Sequence, residues 1–367
     1  MTLIDRRMMA RALQLARRGL MTVSPNPAVG CVLAKDTKIV GEGWHIRAGK
    51  AHAEINALRD AAENAQGATA YVTLEPCCHQ GKTPPCTEAL INAGVSRVVY
   101  AMQDCNPMVS GIGLNRLRKA GIAVEGPLLE NEALQLNRGF VKRHTQGLPW
   151  VTVKMAMSLD GRTAMASGES QWITGSEARS DVQRLRAENC AIITGINTVL
   201  RDNARLTVRK ENLELDYPLP DIRQPLRVVL DSQGRLTADS ALLAEPGPVL
   251  QVIASEKIQP LKASEQLVLP GEQGIDLSGL LHNLAARQCN QVLVEAGATL
   301  AGAFVQAGLV DELVIYMAPV LLGSQARPLV ELPLNNMDQK VQLKIIDSRT
   351  VGTDIRITAA PVYKAPE

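Results

Sequence analysis

Between residues 5 and 20 the apolar side chains Met8, Met9, Ala12, Leu13 and Leu15 recur three and four apart, with Arg6, Arg7, Arg11, Arg17 and Arg18 among them. This spacing predicts an amphipathic first helix that stops at Gly19, an ordinary surface helix in preference to an arginine-rich targeting peptide. The pattern then shortens. Apolar runs at 28–34 and 39–43 predict a strand pair turning at Lys35, Asp36 and Thr37, followed by a helix over 51–64. Strands at 70–73, 95–102 and 122–125 alternate with helices at 87–93, 111–120 and 128–141, which predicts an α/β layer sandwich.

Periodicity lapses over 143–149, where Gly147 and Pro149 mark a linker. The boundary is expected there, with a first domain at 1–145 and a second at 146–367. The second opens on a strand at 150–157, a loop at 158–174 and a polar helix at 176–189. Further strands are expected at 191–194, 226–230, 249–254, 266–269, 291–295 and 313–316. Their unbroken apolar character predicts a mostly parallel sheet with helices on both faces. Length agrees, since 367 residues exceed what one core usually serves.

Composition narrows the partners. Lys+Arg number 39 against 37 Asp+Glu, a net charge of +2, and aromatic residues make up 3%. A nucleic-acid channel would need a basic stripe or stacking platforms, and neither shows. No apolar run approaches the ~20 residues of a membrane span. Seven cysteines, three of them between 77 and 86, suit a reducing compartment in which thiols hold metal. The expectation is a cytoplasmic homo-oligomer acting on a small molecule, without nucleic-acid or membrane partners.

The chemistry concentrates in His52-Ala53-Glu54 and in Glu75-Pro76-Cys77-Cys78-His79-Gln80-Gly81-Lys82-Thr83-Pro84-Pro85-Cys86. One imidazole and two thiolates give a zinc ion three protein ligands and leave a fourth position for water, as in catalytic rather than structural sites. Glu54, two residues from His52, is placed to move protons. His-x-Glu followed by Pro-Cys is the signature of zinc-dependent base deaminases, and there the second cysteine comes three positions after the first, whereas here it comes nine after. A structural site, with Cys78 or His79 as fourth ligand, is the competing reading. Cys77 is preferred to Cys78 as ligand because it directly follows Pro76.

With Ser24-Pro25-Asn26-Pro27-Ala28-Val29-Gly30-Cys31-Val32 and Gly41-Glu42-Gly43-Trp44-His45, these motifs resemble the deaminase half of the bifunctional deaminase–reductases of riboflavin biosynthesis. The long Gly81-Lys82-Thr83-Pro84-Pro85 loop belongs to that resemblance. It implies a cytidine-deaminase-like α/β/α sandwich, zinc on His52, Cys77 and Cys86, and Glu54 as proton shuttle. Asn26, His45 and Lys82 become candidates for holding the pyrimidine and its ribose phosphate. Asn26 between prolines is equally a turn residue, and Lys82 equally a solvated charge. Cys31, Cys105, Cys190 and Cys289 read as small buried hydrophobes, and His144 and His282 as surface residues.

Downstream, 291–295 followed by Ala296-Gly297-Ala298-Thr299-Leu300-Ala301-Gly302 reads as strand, small-residue turn and helix start, a place where backbone amides can receive a phosphate. It lacks the full Gly-x-Gly-x-x-Gly pattern. Lys154-Met155-Ala156-Met157-Ser158-Leu159-Asp160-Gly161-Arg162-Thr163, Gly168-Glu169-Ser170-Gln171-Trp172-Ile173-Thr174 and Val294-Glu295-Ala296-Gly297 resemble the reductase half. That resemblance implies a dihydrofolate-reductase-like domain using NADPH. It puts Ala156, Trp172, Thr198, Asp202, Ser232 and Gly297, Ala298, Thr299, Leu300, Ala301, Gly302 and Ala303 at nucleotide positions, and Ser170, Arg186, Leu206, Arg209 and Glu295 at substrate positions. Lys154 joins them, and with Asp202 it is a candidate helper for protonating or polarising the sugar during hydride transfer. Arg186 and Arg209 suit a sugar phosphate through bidentate bonds, although Arg186 also fits a solvated helix face. Arg201-Asp202-Asn203 departs from the Asp-Asp-Pro of that family and puts the loop geometry there in question. A nucleic-acid base deaminase with a non-catalytic C-terminal domain is the alternative.

Overall fold

The computed structural model describes residues 1–363 apart from 79–84, 107–109, 214, 216, 218–221, 260, 262–263 and 273. The chain divides into two compact units, Met1–Gly147 and Leu148–Glu367.

The first unit runs α1 (Leu3–Arg17), β1 (Gly30–Lys35), β2 (Lys38–Trp44), α2 (Ala53–Ala61), β3 (Thr69–Val72), α3 (Cys86–Asn92), β4 (Arg97–Tyr100), α4 (Ile112–Lys119), β5 (Ala123–Glu125), α5 (Glu130–Leu136) and α6 (Arg138–Gln146). Its sheet has the order β2-β1-β3-β4-β5, antiparallel from β2 to β3 and parallel from β3 to β5. Thr2 and Asp5 cap α1 reciprocally, and Met8, Met9, Ala12, Leu13 and Leu15 turn into the core, as their spacing predicts. Arg6, Arg7 and Arg17 stay outside, whereas Arg11 pairs with Glu42 and Arg18 stacks over Trp44.

Helices cover both faces of this sheet. Tyr71 and its register partner Val32 face α1, where buried Asp5 accepts the Tyr71 hydroxyl at 2.9 Å and an Arg97 N–H at 2.7 Å. Cys31 and its partner Gly43 face α2. A Cβ on Gly43 would lie 2.3 Å from the Ala57 nitrogen, so glycine lets α2 settle directly on β2. That close approach sets where His52 and Glu54 end up.

Several boundaries differ from expectation. The first helix ends at Arg17, the first strand starts at Gly30, and the helix expected over 51–64 closes at Ala61 before a 3₁₀ turn. The helix expected over 128–141 is two, broken at Asn137, and α6 continues through Gln146 into the expected linker. The physical reason lies in Asn137, whose side chain bonds both backbone groups of Ala28, accepting its N–H at 2.8 Å and donating to its carbonyl at 3.0 Å. The local pattern carries no sign of a partner so distant in sequence.

The second unit runs β6 (Trp150–Ser158), β7 (Arg162–Ala164), α7 (Ser176–Glu188), β8 (Ala191–Gly195), α8 (Ile196–Asp202), β9 (Leu226–Leu230), α9 (Ala241–Ala244), β10 (Val249–Ile253), β11 (Glu265–Val268), β12 (Pro270–Gly271), β13 (Gly274–Ile275), α10 (Leu277–Ala286), β14 (Gln291–Glu295), α11 (Ala298–Gln306), β15 (Glu312–Ala318), β16 (Arg327–Pro328), β17 (Gln342–Val351) and β18 (Asp354–Val362). The nine-stranded sheet has the order β11-β10-β9-β8-β14-β6-β15-β18-β17. From β11 to β15 all pairs are parallel, and β18 and β17 add antiparallel strands. Helices α10 and α11 pack one face through Leu280, Leu284 and Phe304, and α7 and α8 the other through Val182, Leu185 and Val199.

The β17–β18 hairpin and the helices α8 and α10 have no counterpart in the sequence reading. Edge strand β17 is exposed along nearly its whole length, so the unbroken apolar run that marks a buried strand is missing. No described helix is long and apolar enough to cross a membrane.

Candidate active sites

In the first unit the chain turns from β2 into α2 at His52, which occupies the cap position before Ala53. The strand β3 leads to Pro76 and Cys77, and Cys86 opens α3. These three points converge. Nδ1 of His52 lies 3.3 Å from Cys86 Sγ and 3.6 Å from Cys77 Sγ, and one ligand atom from each residue falls within 4.8 Å of the others. Cys77 is held in place by α3, whose Cys86 N–H points at its sulfur at 3.4 Å and whose Thr87 N–H bonds its carbonyl at 3.2 Å.

The charges of this cluster are shared. A hydrogen bond from Cys86, helped by His52, pushes the Cys77 thiol down to about 4. Cys86 is displaced upward because it holds the proton bonded to the Cys77 sulfur and is buried. Two sulfurs with one negative charge between them and an adjacent imidazole form a donor set that fits zinc, for which both thiols ionise. Among the described residues the metal-type group contains three ligands, with Cys78 outside it. Glu54, in the first turn of α2, is buried, and desolvation together with the nearby Cys77 charge pushes its carboxyl up to about 7.

His45 and Asn26 stand beside the cluster. The His45 ring meets that of His52 edge-on at 5.3 Å. Its Nδ1 sits 3.0 Å from the Ala51 carbonyl and its Nε2 3.1 Å from Asn26 Nδ2. A carbonyl can only accept, so Nδ1 carries the proton and Nε2 accepts from the Asn26 amide. Burial pushes the His45 pKa down and keeps that neutral form. Lys82 and His79 lie outside the described residues. Asn137, to which the sequence assigns no role, fixes the Asn26 loop from its Ala28 end; a polar residue interrupting a helical pattern was its single local signal.

In the second unit the strands β9, β8, β14 and β6 are parallel neighbours, so their C-terminal ends share one edge of the sheet, the usual place for ligands in such folds. Glu295 and Lys154 are register partners there. Arg186, from α7, bonds both Glu295 oxygens at 2.6 and 3.0 Å and the Thr207 carbonyl at 3.0 Å. The pair is largely buried, 16% and 10% exposed, so the reading of Arg186 as a solvated helix face is corrected: it faces Glu295. Burial alone would raise the Glu295 pKa, but Arg186 and Lys154 hold it below the usual carboxylate range. Burial pushes the Lys154 pKa down.

Leu206, one residue before Thr207, adopts φ +55, a conformation a leucine takes only when its surroundings force it. Arg209 is exposed, and its N–H bonds Gln183 of α7 at 3.0 Å. Ala156 lies two residues along β6 from Lys154, while Thr198 and Asp202 sit on α8 and Ser232 just beyond β9. Ser170 precedes Trp172, whose exposed indole is stacked by the Arg179 guanidinium at 4.7 Å. Gly297 caps α11 with no side chain bonding the helix start, and nothing stands within 4 Å of where a Cβ would be. A helix start capped by a glycine with open space at its Cβ position fits the approach of a phosphate of a dinucleotide. Within α11, Ala298, Thr299, Leu300 and Ala303 keep some exposure, whereas Ala301 and Gly302 are buried. A Cβ on Gly302 would press 2.0 Å from the Glu331 carbonyl, so this glycine answers to packing.

Of the remaining residues, Cys31, Cys190 and Cys289 are buried as expected, while Cys105 is half-buried, and His144 is half-buried against Phe140 instead of lying on the surface.

Residues 3–102 match the cytidine and deoxycytidylate deaminase zinc-binding region, and residues 149–357 match the RibD C-terminal domain. The riboflavin biosynthesis protein RibD of Escherichia coli K12 is 53% identical over 358 residues, 96% of this chain and 98% of its own. Its counterpart in Haemophilus influenzae is 49% identical over 362 residues, 96% of each chain. Acinetobacter baumannii RibD has a solved structure that is 46% identical with a TM-score of 0.89, covering 98% of this chain and 99% of that one. A Thermotoga maritima structure, described as a diaminohydroxyphosphoribosylaminopyrimidine deaminase and 5-amino-6-(5-phosphoribosylamino)uracil reductase, is 32% identical with a TM-score of 0.88 over 98% of this chain and 99% of that one. Identity of this size, held across nearly the whole length of both units, means that the chain belongs to the RibD family of riboflavin biosynthesis proteins.

Proposed function

We propose that the chain catalyses two consecutive steps of riboflavin biosynthesis, a hydrolytic deamination in the first unit and a reduction in the second. The observation that carries the first is the meeting of one imidazole nitrogen and two sulfurs beside a buried carboxyl. One zinc ion, held by His52, Cys77 and Cys86, supplies a water activated for attack at neutral pH. Glu54 takes a proton from the attacking water and delivers it to the departing amine nitrogen, a double role suited to a carboxyl poised near neutrality. The substrate is 2,5-diamino-6-(5-phosphoribosylamino)pyrimidin-4-one, which leaves as 5-amino-6-(5-phosphoribosylamino)uracil and ammonia. Asn26, its Nδ2 engaged by His45, turns its carbonyl oxygen to a substrate N–H, and Lys82 takes the phosphate.

In the second unit NADPH supplies the hydride that converts the ribosyl to the ribityl chain. Gly297 and the first amides of α11 hold its phosphates, and Ala156, Trp172, Thr198, Asp202 and Ser232 complete the nucleotide site, with Ala298, Thr299, Leu300 and Ala303 along the helix. Ala301 and Gly302 support that helix from behind. Ser170, Leu206 and Glu295 orient the sugar. Arg186 is occupied by Glu295, which leaves exposed Arg209 to take the sugar phosphate. Lys154, made a readier proton donor by burial, protonates the ribose oxygen as hydride arrives.

A coupled assay separates the two steps, following ammonia release and loss of nicotinamide absorbance in one sample. Glu54→Gln should stop ammonia release and leave zinc bound, while reduction of supplied aminouracil continues; undiminished ammonia release would defeat this reading. The alternative of a nucleic-acid deaminase with an inert second half loses its ground, because that half matches the RibD C-terminal domain. The exposed edge strand β17, with Leu343, Ile345 and Ile346 at the surface, supports a homo-oligomer, and the cysteine usage supports a cytoplasmic location.

A further inference from the structure

Glu75 is an unusual place for a charge. The residue is 3% exposed, it precedes Pro76 and Cys77, and among the described residues no cation bonds its carboxylate. Backbone amides bond it instead. Gly111 N–H lies 2.9 Å from Oε2 and Gly113 N–H 3.0 Å from Oε1, with the amides of Asp104 and Leu114 each at 3.4 Å. The Glu75 backbone is fixed as well, its N–H bonding the Met102 carbonyl at 3.0 Å. A carboxylate ringed by amide donors from a helix start is a strong anchor, because each bond is charge-assisted and the helix end favours negative charge.

The anchor draws α4 onto the turn that carries Cys77. A Cβ on Gly113 would lie 2.1 Å from the Pro76 carbonyl oxygen, so the helix start rests directly on the residue before the cysteine. From the opposite side the start of α3 holds Cys77 through the Cys86 and Thr87 amides. The turn Glu75-Pro76-Cys77 is therefore gripped between two helix starts, one reaching it through Glu75 and the other through Cys77 itself.

We propose that Glu75 is a positioning residue for the metal cluster: its buried carboxylate locks α4 against Pro76 and so holds Cys77 at ligating distance from His52 and Cys86. It touches neither metal nor substrate. Groups that orient metal ligands from behind typically govern metal affinity by about 10–100-fold. Glutamine at this position keeps the shape but turns an NH₂ donor toward amides that can only donate, so half of the anchor opens.

The inference rests on the zinc reading of the cluster, and the experiment separates the two. Zinc affinity of the full chain is measured by competition with a chromophoric chelator for the parent, Glu75→Gln and Gly113→Ala, alongside the melting temperature of each zinc-free chain. Both variants should bind zinc about 10–100-fold more weakly, and saturating zinc should restore the kcat of deamination in Glu75→Gln to near the parental value. A parent that binds no zinc removes the reading beneath. With the parent binding, the proposal is overturned by a zinc Kd within about twofold of the parent in Glu75→Gln, or by lost kcat that saturating zinc does not restore. Should the zinc-free Glu75→Gln chain show no cooperative melting, Gly113→Ala decides, and a parental zinc affinity there overturns the proposal.

Discussion

The two sites of this chain are built in opposite ways. In the first unit, the groups proposed for the chemical step come from the start of α2, the turn after β3 and the start of α3, and their power lies in the identity of four side chains, His52, Glu54, Cys77 and Cys86. In the second, the residues proposed for the reduction, Lys154, Arg186, Leu206, Arg209 and Glu295, come from separate strands, helices and loops, and Lys154, Arg186 and Glu295 meet at one edge of a parallel sheet. The first is specified by residue type and spacing, the second by topology. A metal site tolerates this economy because the ion itself organises its ligands, whereas a hydride-transfer site must align two organic molecules and needs walls from many elements.

The largest effect expected from breaking this contrast is at Glu54. Glu54→Gln should lower deamination by roughly 10²–10⁴-fold, as removal of a general acid–base group does, with reduction of supplied aminouracil unchanged in the same preparation. Stripping zinc with a chelator should silence ammonia release and spare nicotinamide oxidation, and added zinc should restore it; parallel loss of both activities would show that the sites are not separable. Glu295→Gln tests the other side. It leaves the Arg186 and Lys154 charges buried without their counter-charge, and breaking a buried pair of this kind costs about 3–5 kcal/mol. Reduction should be lost and deamination kept, with unfolding of the second unit read by calorimetry.

Asn137→Ala is milder. The Ala28 N–H and carbonyl lose their partner, the Asn26 loop loosens, and the KM of deamination should rise by roughly tenfold, the effect of ~1.4 kcal/mol. The smallest effect concerns acid. Arg97, with the Thr2 and Tyr71 bonds, holds the Asp5 carboxyl well below its ordinary value of 3.8. A depressed folded pKa gives stability that is present above the unfolded value and lost as pH falls through the folded one, so the first unit should begin to lose melting temperature below about pH 4. Asp5→Asn should flatten that slope; an unchanged slope would assign acid sensitivity elsewhere.

The metal constellation was legible because ligand chemistry is written in residue identity: His52-Ala53-Glu54 and Pro76-Cys77 announce zinc before any fold is known. The element pattern was legible wherever strands are buried on both faces, as at β1, β8 and β14. It failed at β17 and β18, which lie toward an edge where burial imposes no apolar run, and at Asn137, whose partner is 109 residues away. For Arg186, the resemblance implied a substrate position where its guanidinium could clamp a phosphate, with a solvated helix face as the other reading; the structure pairs it with Glu295.

Sequence by itself determined that this chain carries a zinc-type deaminase signature, an α/β alternation and two domains, because residue identity and local periodicity are properties of neighbours along the chain. Only the tertiary structure decided that Glu54 is buried enough to sit near neutrality and that Glu75 and Asn137 brace the loops behind the site. Those outcomes depend on desolvation and on hydrogen bonds between distant segments, and both arise only when the chain has closed on itself.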